Sequence, residues 1–153
     1  MAMYLSRPAE YALRAMSYMA RLDPEKRIRT RDLSKAVDVP AAFLSKIMRR
    51  LTDQGILDAK KGHHGGYVLA RPPAEVRFID ILRAVEFEPS VDHCLFGLGN
   101  CDAQNPCPLH REWSILKGHI EQWAKSHTLA ESPKELQSSR QKRQSLRSAK
   151  LPA

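Results

Sequence analysis

The sequence predicts a mainly α-helical fold with one small β-hairpin, for two reasons. Five stretches of the chain repeat apolar residues three or four positions apart, which is the pattern of one buried helix face. Residues 56–70 instead hold two short apolar runs on either side of a Gly-rich turn, which is the pattern of a hairpin. With 153 residues, 42% of them hydrophobic, the chain has room for one compact domain and an extension.

The first helix is predicted from Glu10 to Leu22, after an opening at Ser6 and Pro8. The pair Asp23-Pro24 ends it, because proline disfavours helical geometry in the residue before it. Its apolar positions are Ala12, Leu13, Met16, Met19 and Ala20.

Two further helices follow, joined by a tight turn. The shorter is predicted from Arg31 to Val37, with Thr30 as its N-cap. The longer is predicted from Pro40 to Gln54, with Gly55 as its C-cap. We expect the shorter helix to bury Leu33, Ala36 and Val37, and the longer to bury Leu44, Ile47, Met48 and Leu51. Two helices joined by a turn, the second with a basic exposed face, are typical of a helix-turn-helix.

The hairpin is predicted to pair residues 56–61 with residues 67–70 across the turn Gly62-His63-His64-Gly65-Gly66. A hairpin beside a helix-turn-helix is a wing. Pro72-Pro73 ends it, and a short helix from Phe78 to Val85 follows, with Ile79, Leu82 and Val85 facing inward. Residues 1–86 are therefore predicted to form a winged helix-turn-helix domain that binds double-stranded DNA.

The exposed face of the longer helix carries the candidates for DNA contact. Ser45 and Lys46 are expected to reach base edges in the major groove, and Arg49 and Arg50 to hold phosphates. The residues before them, Ala41, Ala42 and Phe43, are expected to leave the start of the helix uncrowded. In the wing, Lys61 is expected to enter the minor groove, and His63 and His64 to contact phosphate rather than to bind a metal.

The net charge of +8 favours a polyanionic partner, although a merely solvated surface would carry the same sign. Six basic and two acidic residues lie in residues 131–153, a segment predicted to be a disordered basic tail that touches DNA non-specifically or aids solubility. The sequence lacks an apolar run of about 20 residues and a signal-peptide pattern, so we expect a cytoplasmic protein with no membrane partner.

Residues 109–130 are predicted to form a dimerisation helix. Its apolar residues are spaced four, three, four and three apart, as in a helix that packs along another helix. In so short a chain a second copy is the natural partner, so we expect a homodimer. Packing against the first helix of the same chain is the alternative. The apolar residues that would form this contact are Leu109, Trp113, Leu116, Ile120 and Trp123.

The chain has only three cysteines, Cys94, Cys101 and Cys107, and all lie in one predicted loop, residues 87–108. His110 follows, and three soft thiolates with an imidazole suit one metal centre. A closed zinc site and an iron-sulfur cluster with a non-cysteine fourth ligand both fit this spacing. Buried inert cysteines are disfavoured, because the loop is polar and rich in glycine. A cytosolic setting also disfavours disulfides.

Taken together, these motifs resemble the Rrf-two family of bacterial winged-helix regulators, which includes the IscR, NsrR and RirA types. The resemblance runs from Met3 to about Leu129. The segments that carry it are Tyr11-Ala12-Leu13-Arg14, Phe43-Leu44 followed by Leu51, the wing from Lys61 to Leu69, and Cys107-Pro108-Leu109-His110 with Trp113. It implies a homodimer with crossed long helices, an iron-sulfur cluster on the three cysteines, and transcriptional control by cluster state.

Two fourth ligands are open under this resemblance. His110 matches the histidine that completes a [2Fe-2S] site in the IscR type, which we prefer. Glu10 of the partner subunit matches the acidic residue that completes a [4Fe-4S] site in the NsrR type. Two departures from the family pattern stand out: six residues separate Cys94 from Cys101 where five are common, and Ser45 and Lys46 replace the acidic and amide residues of the IscR type.

The sequence thus predicts an iron-sulfur-dependent transcription regulator, most often a repressor in this family, that senses cluster supply, nitric oxide or redox stress. It shows no nucleophile elbow, phosphate loop or paired acid-base site, so an enzyme is not expected. One alternative is a winged-helix protein with a structural Cys3His zinc site and constitutive DNA binding. Another is an interaction module, such as a toxin-antitoxin or chaperone adaptor, with a vestigial wing.

Overall fold

The computed structural model describes residues 5–85, Cys94 and residues 101–133. Within these residues the helices are α1 (Arg7–Met19), α2 (Thr30–Val37), α3 (Ala41–Asp53), α4 (Phe78–Ala84) and α5 (His110–Ser126), and the strands are β1 (Leu57–Lys60) and β2 (Gly66–Leu69). Short 3-10 turns lie at Pro73–Glu75 and Leu129–Glu131. The predicted fold class, mainly α with a small β-wing, is confirmed. Most of the cysteine loop, and the predicted tail from residue 134 onward, lie outside the described residues.

Helix α1 begins and ends three residues earlier than predicted. The Ser6 hydroxyl caps its start by accepting a hydrogen bond from the Ala9 N–H at 3.3 Å, and Pro8 fits the first turn because that turn needs no N–H donor. The helix ends at Met19, after which the chain turns through bonds such as Leu22 N–H to the Met19 carbonyl, 3.1 Å.

The turn between α2 and α3 differs from the prediction in one buried residue. Ala36 is exposed, contrary to expectation, and Val39 is buried instead. The change follows from Asp38, which adopts a left-handed conformation (φ 53°) and turns the chain back toward the core. Thr30, predicted as the N-cap of α2, is its first residue, and Arg29 takes the cap position. Gly55, predicted as the C-cap of α3, lies one residue beyond it at φ 67°, and Gln54 takes the cap position.

The wing is an antiparallel hairpin in which Leu57 pairs with Leu69 and Lys60 with Gly66. The segment before α2 pairs with β2 through an isolated antiparallel bridge, in which Ile28 and Tyr67 exchange backbone hydrogen bonds of 2.9 and 2.8 Å. Gly66 lies in this close approach: its φ is 139°, and a Cβ there would stand 2.7 Å from the Ile28 carbonyl oxygen. The wing is therefore attached to the helical body at its base.

The core lies between α1, α3 and α4, and the C-terminal end of α5 joins it. The Phe78 N–H donates to the His127 carbonyl at 3.0 Å, and the Leu129 N–H donates to the Val76 carbonyl at 2.9 Å. The rings of Phe78 and Trp123 lie 5.2 Å apart. Among the described helices, α5 thus packs mainly against α4. In the part of the chain that the structure describes, no helix is long and apolar enough to cross a membrane.

Candidate nucleic-acid interface and cysteine loop

Helix α3 presents all four of its predicted DNA-contacting residues to solvent: Ser45, Lys46, Arg49 and Arg50. The opposite face is buried in the core through Leu44, Ile47, Met48 and Leu51, so the helix cannot rotate without exposing apolar surface. The Ser45 hydroxyl donates to the Ala41 carbonyl at 2.9 Å. Its oxygen therefore faces outward as an acceptor, which limits which base edges it can bind.

Phe43 is a surface residue of α3 that the sequence reasoning missed. It stands 57% exposed in the first turn of the helix, with its ring edge-on to Tyr11 at a centroid distance of 6.3 Å. The expectation of an uncrowded helix start is therefore wrong. The signal in the sequence is weak: Phe43 is four positions from the buried Ile47, but it lies about 100° around the helix from Leu44, off the centre of the buried face.

The tip of the wing exposes Lys61, His63 and His64, as predicted, and the two imidazole rings lie 5.3 Å apart. Two arginines that the sequence reasoning missed hold this tip. Arg29 donates to the His63 carbonyl, and Arg27 donates to the Gly66 carbonyl at 3.3 Å.

Arg27 also pairs with Asp58 at 2.5 Å, so this arginine contacts both strands of the wing. In the sequence, the only sign of these contacts is that the apolar Ile28 stands between the two arginines. That pattern fits a bridge to a strand, but it does not show which strand.

A cleft of about 740 Å³ separates the wing from the connection between α1 and α2. Four basic side chains line it, Lys26, Arg27, Arg29 and Lys60, together with the acidic Glu25 and Asp32 and with His63 and His64. Lys46, Arg49 and Arg50 on α3 and Lys61 on the wing are exposed as well, so both elements present cationic surface. Such a surface fits a phosphate backbone, with the polar positions of α3 left to read bases.

The three cysteines lie at the surface and are not joined by a disulfide. Cys94 and Cys101 are half-buried and Cys107 is exposed. His110 is the first residue of α5, and its N–H donates to the Cys107 carbonyl at 3.0 Å, so these two predicted ligands share one turn. Among the described His, Cys, Asp and Glu residues, however, no three come together as they would around a metal ion. The donor types fit a metal centre, but their placement does not assemble one.

Glu10, the alternative fourth ligand, lies half-buried in α1 and forms an ion pair with Arg14 one turn further along. Arg14 also donates to the Val37 carbonyl at 3.4 Å, and its guanidinium lies 5.9 Å from the centre of the Tyr11 ring. The Glu10 carboxylate thus takes part in a link between α1 and the helix-turn-helix. Use of Glu10 as a ligand would compete with that link.

Comparison with known proteins identifies the family. Residues 5–133 match the family described as "Rrf2: Iron-dependent Transcriptional regulator". The HTH-type transcriptional regulator NsrR of Geobacillus kaustophilus is 33% identical over 98 residues, which cover 64% of this chain and 67% of that protein.

Two solved structures share the fold. IscR of T. potens aligns with a TM-score of 0.64 and 20% identity, covering 97% of this chain and 92% of that one. CymR, the global cysteine regulator of B. subtilis, aligns with a TM-score of 0.68 and 23% identity, covering 82% of this chain and 92% of that one. The chain is therefore a member of the Rrf2 family, whose proteins are DNA-binding transcriptional regulators and not enzymes.

Proposed function

We propose that this chain is a homodimeric repressor whose affinity for its operator depends on an iron-sulfur cluster held by Cys94, Cys101 and Cys107. His110 is the preferred fourth ligand. The observation that carries the proposal is the position of the donors: the chain's only cysteines, Cys94, Cys101 and Cys107, lie in the segment that leads to the long helix α5, and His110 is the first residue of that helix. The family description as iron-dependent supports the same chemistry.

Cys94, Cys101, Cys107 and His110 would have to move closer together to hold a cluster, because these described residues do not surround a common centre. Cys107 is exposed and already shares a turn with His110, which supports the use of this pair as two of the ligands. Binding also requires the thiols to lose their protons. A bound cluster would supply a redox-active centre whose potential depends on its ligands and on its exposure to solvent.

Dimerisation through α5 is supported by the apolar residues along that helix. Leu109 is 49% exposed, and Leu116 and Trp123 are each 40% exposed. They belong to one helix face, and a second copy of α5 would cover them. Because the cysteine loop leads directly into this face, a change in the loop is expected to alter how the two copies meet.

The test is purification without air, followed by a visible spectrum and by iron and acid-labile sulfide analysis. We expect coloured protein that contains both elements and binds DNA selected from a random library, with an affinity that changes when a chelator removes the iron. Cys107→Ser and His110→Ala should each lower cluster content. His119→Ala is the matched control, since His119 is an exposed histidine on the same helix.

A structural zinc site is the second candidate, because a Cys3His donor set suits Zn²⁺ equally well. In that case the protein purified without air would be colourless, would contain zinc in place of iron and sulfide, and would bind DNA constitutively. That result would remove the sensing proposal and leave the DNA-binding role intact.

A further inference from the structure

Phe43 is the most exposed of the large hydrophobic side chains at the described surface, at 57%. The other strongly exposed ones, Leu109, Ile115, Leu116 and Trp123, all lie on α5 or directly before it. Phe43 alone among them lies on the DNA-facing helix. An aromatic ring exposed to water on such a helix indicates a contact site, because burying the ring against an apolar group of a partner is favourable.

We propose that Phe43 is a specificity-determining residue that contacts the 5-methyl group of a thymine in the major groove; this inference rests on the proposed operator binding. Phe43 is the third residue of α3, and the first residues of a recognition helix are the ones that meet base edges. Lys46 and Arg50 follow three and seven positions later, so they share its helix face. A duplex that meets these two cations therefore also meets the ring.

The chemistry of the groove selects the base. Among the base edges of the major groove, the thymine methyl is the apolar group, while the other positions present hydrogen-bond donors or acceptors. A phenyl ring satisfies neither donors nor acceptors, so placing it against a polar edge leaves that edge unpaired at a cost. The Tyr11 ring, 6.3 Å away and inclined at 69°, limits the orientations open to Phe43 before DNA arrives. A ring restrained in this way loses less entropy on contact.

The test uses the full-length protein purified without air and a random double-stranded DNA library, from which the wild-type protein selects its operator. The protein is used both as purified and after chelator treatment. Each thymine of the operator is then replaced by uracil, which keeps every hydrogen-bonding group and removes only the methyl. We expect the affinity to fall about fourfold at one position in each half-site, the factor that corresponds to burying one methyl-sized group.

Phe43→Ala should bind the thymine operator more weakly and should show no further loss with uracil at that position. Lys61→Ala is the control: it should bind both operators more weakly and keep the fourfold ratio, since a wing lysine does not contact that methyl. Circular dichroism checks that both variants are folded.

An unchanged fourfold ratio in Phe43→Ala overturns the inference, and so does a wild-type protein that tolerates uracil at every position. The inference would also be overturned if Phe43→Ala bound DNA normally but changed its oligomeric state. That result would assign the ring to a contact between two copies of the chain. A library that yields no preferred sequence contradicts the proposed operator binding itself, and the inference fails with it.

Discussion

The turn at the tip of the wing has no room for a side chain at Gly65. A Cβ atom added there would stand 2.3 Å from the Lys60 carbonyl oxygen and 2.9 Å from that of Gly62. Both oxygens belong to the backbone, so the turn must open by roughly 1 Å before an alanine fits. Opening it strains the hydrogen bond from the Gly65 N–H to the Gly62 carbonyl, 3.0 Å, and shifts the neighbouring Lys61.

We expect Gly65→Ala to lower the free energy of unfolding by about 1–3 kcal/mol, the usual cost of a side chain without space. In urea titrations the midpoint should fall by about 0.5–1.5 M with little change in slope. Affinity for DNA should fall as well, because the cations of the wing lose their position.

Gly118→Ala is the matched control. Gly118 lies within α5, and a Cβ there would meet nothing within 4 Å. Removing a glycine from a helix interior should raise the free energy of unfolding by about 0.5–1 kcal/mol. The two variants make the same chemical change and should shift stability in opposite directions. A Gly65→Ala protein as stable as the wild type, or two variants that shift the same way, would refute the steric argument.

Three further outcomes follow from the described contacts. Lys61→Ala should reduce the slope of log affinity against log salt by about 1, measured by fluorescence anisotropy; an unchanged slope would mean that the wing holds no phosphate. Leu116→Glu should convert a dimer to a monomer in light scattering while circular dichroism stays unchanged, since Leu116 is 40% exposed on α5 and does not belong to the core of its own chain. Arg14→Ala should destabilise the protein by about 1 kcal/mol in urea, through loss of the half-exposed Glu10 pair and the bond to the Val37 carbonyl; a stability equal to the wild type would show that this link contributes nothing.

The elements with strong apolar periodicity were predictable from the sequence. Helices α3 and α4 lie within a residue of their predicted bounds, because their buried positions recur regularly and Gly55 or Phe78 marks an end. The start of α1 was misplaced although its signals were visible. The apolar positions used for the prediction begin at Ala12, whereas the helix begins at Arg7, where the Ser6 cap stabilises a first turn that already buries Ala9.

Pairings between distant segments were not predictable from local patterns. The bridge between Ile28 and Tyr67, and the bonds from Arg27 and Arg29 to the wing, join residues more than 30 positions apart. Ala36 shows a second limit: a small apolar residue can face either way, and here α2 buries Leu33 and Val37 and leaves Ala36 exposed. In the cysteine loop, Cys107 and His110 lie three positions apart and share a turn, while assembly around a metal needs geometry that spacing does not specify.

The contacts of α5 limit how a signal in the cysteine loop can reach α3. The end of α5 is bonded to α4 through Phe78 and His127, and α4 packs against both α1 and α3. The start of α5 leaves Leu109 and Leu116 exposed. Helix α5 has 17 residues and is about 25 Å long. A change in the loop therefore acts on its exposed N-terminal end, while its C-terminal end is attached to the DNA-binding domain.

In a single chain, movement of that exposed end would leave the recognition surface unchanged. In a dimer packed along α5, the same movement changes the angle between two domains, and hence the match to half-sites spaced about 34 Å apart. The sensing and dimer proposals therefore depend on each other. A monomeric variant such as Leu116→Glu should keep weak binding to a half-site and lose the dependence of that binding on the state of the cysteine loop.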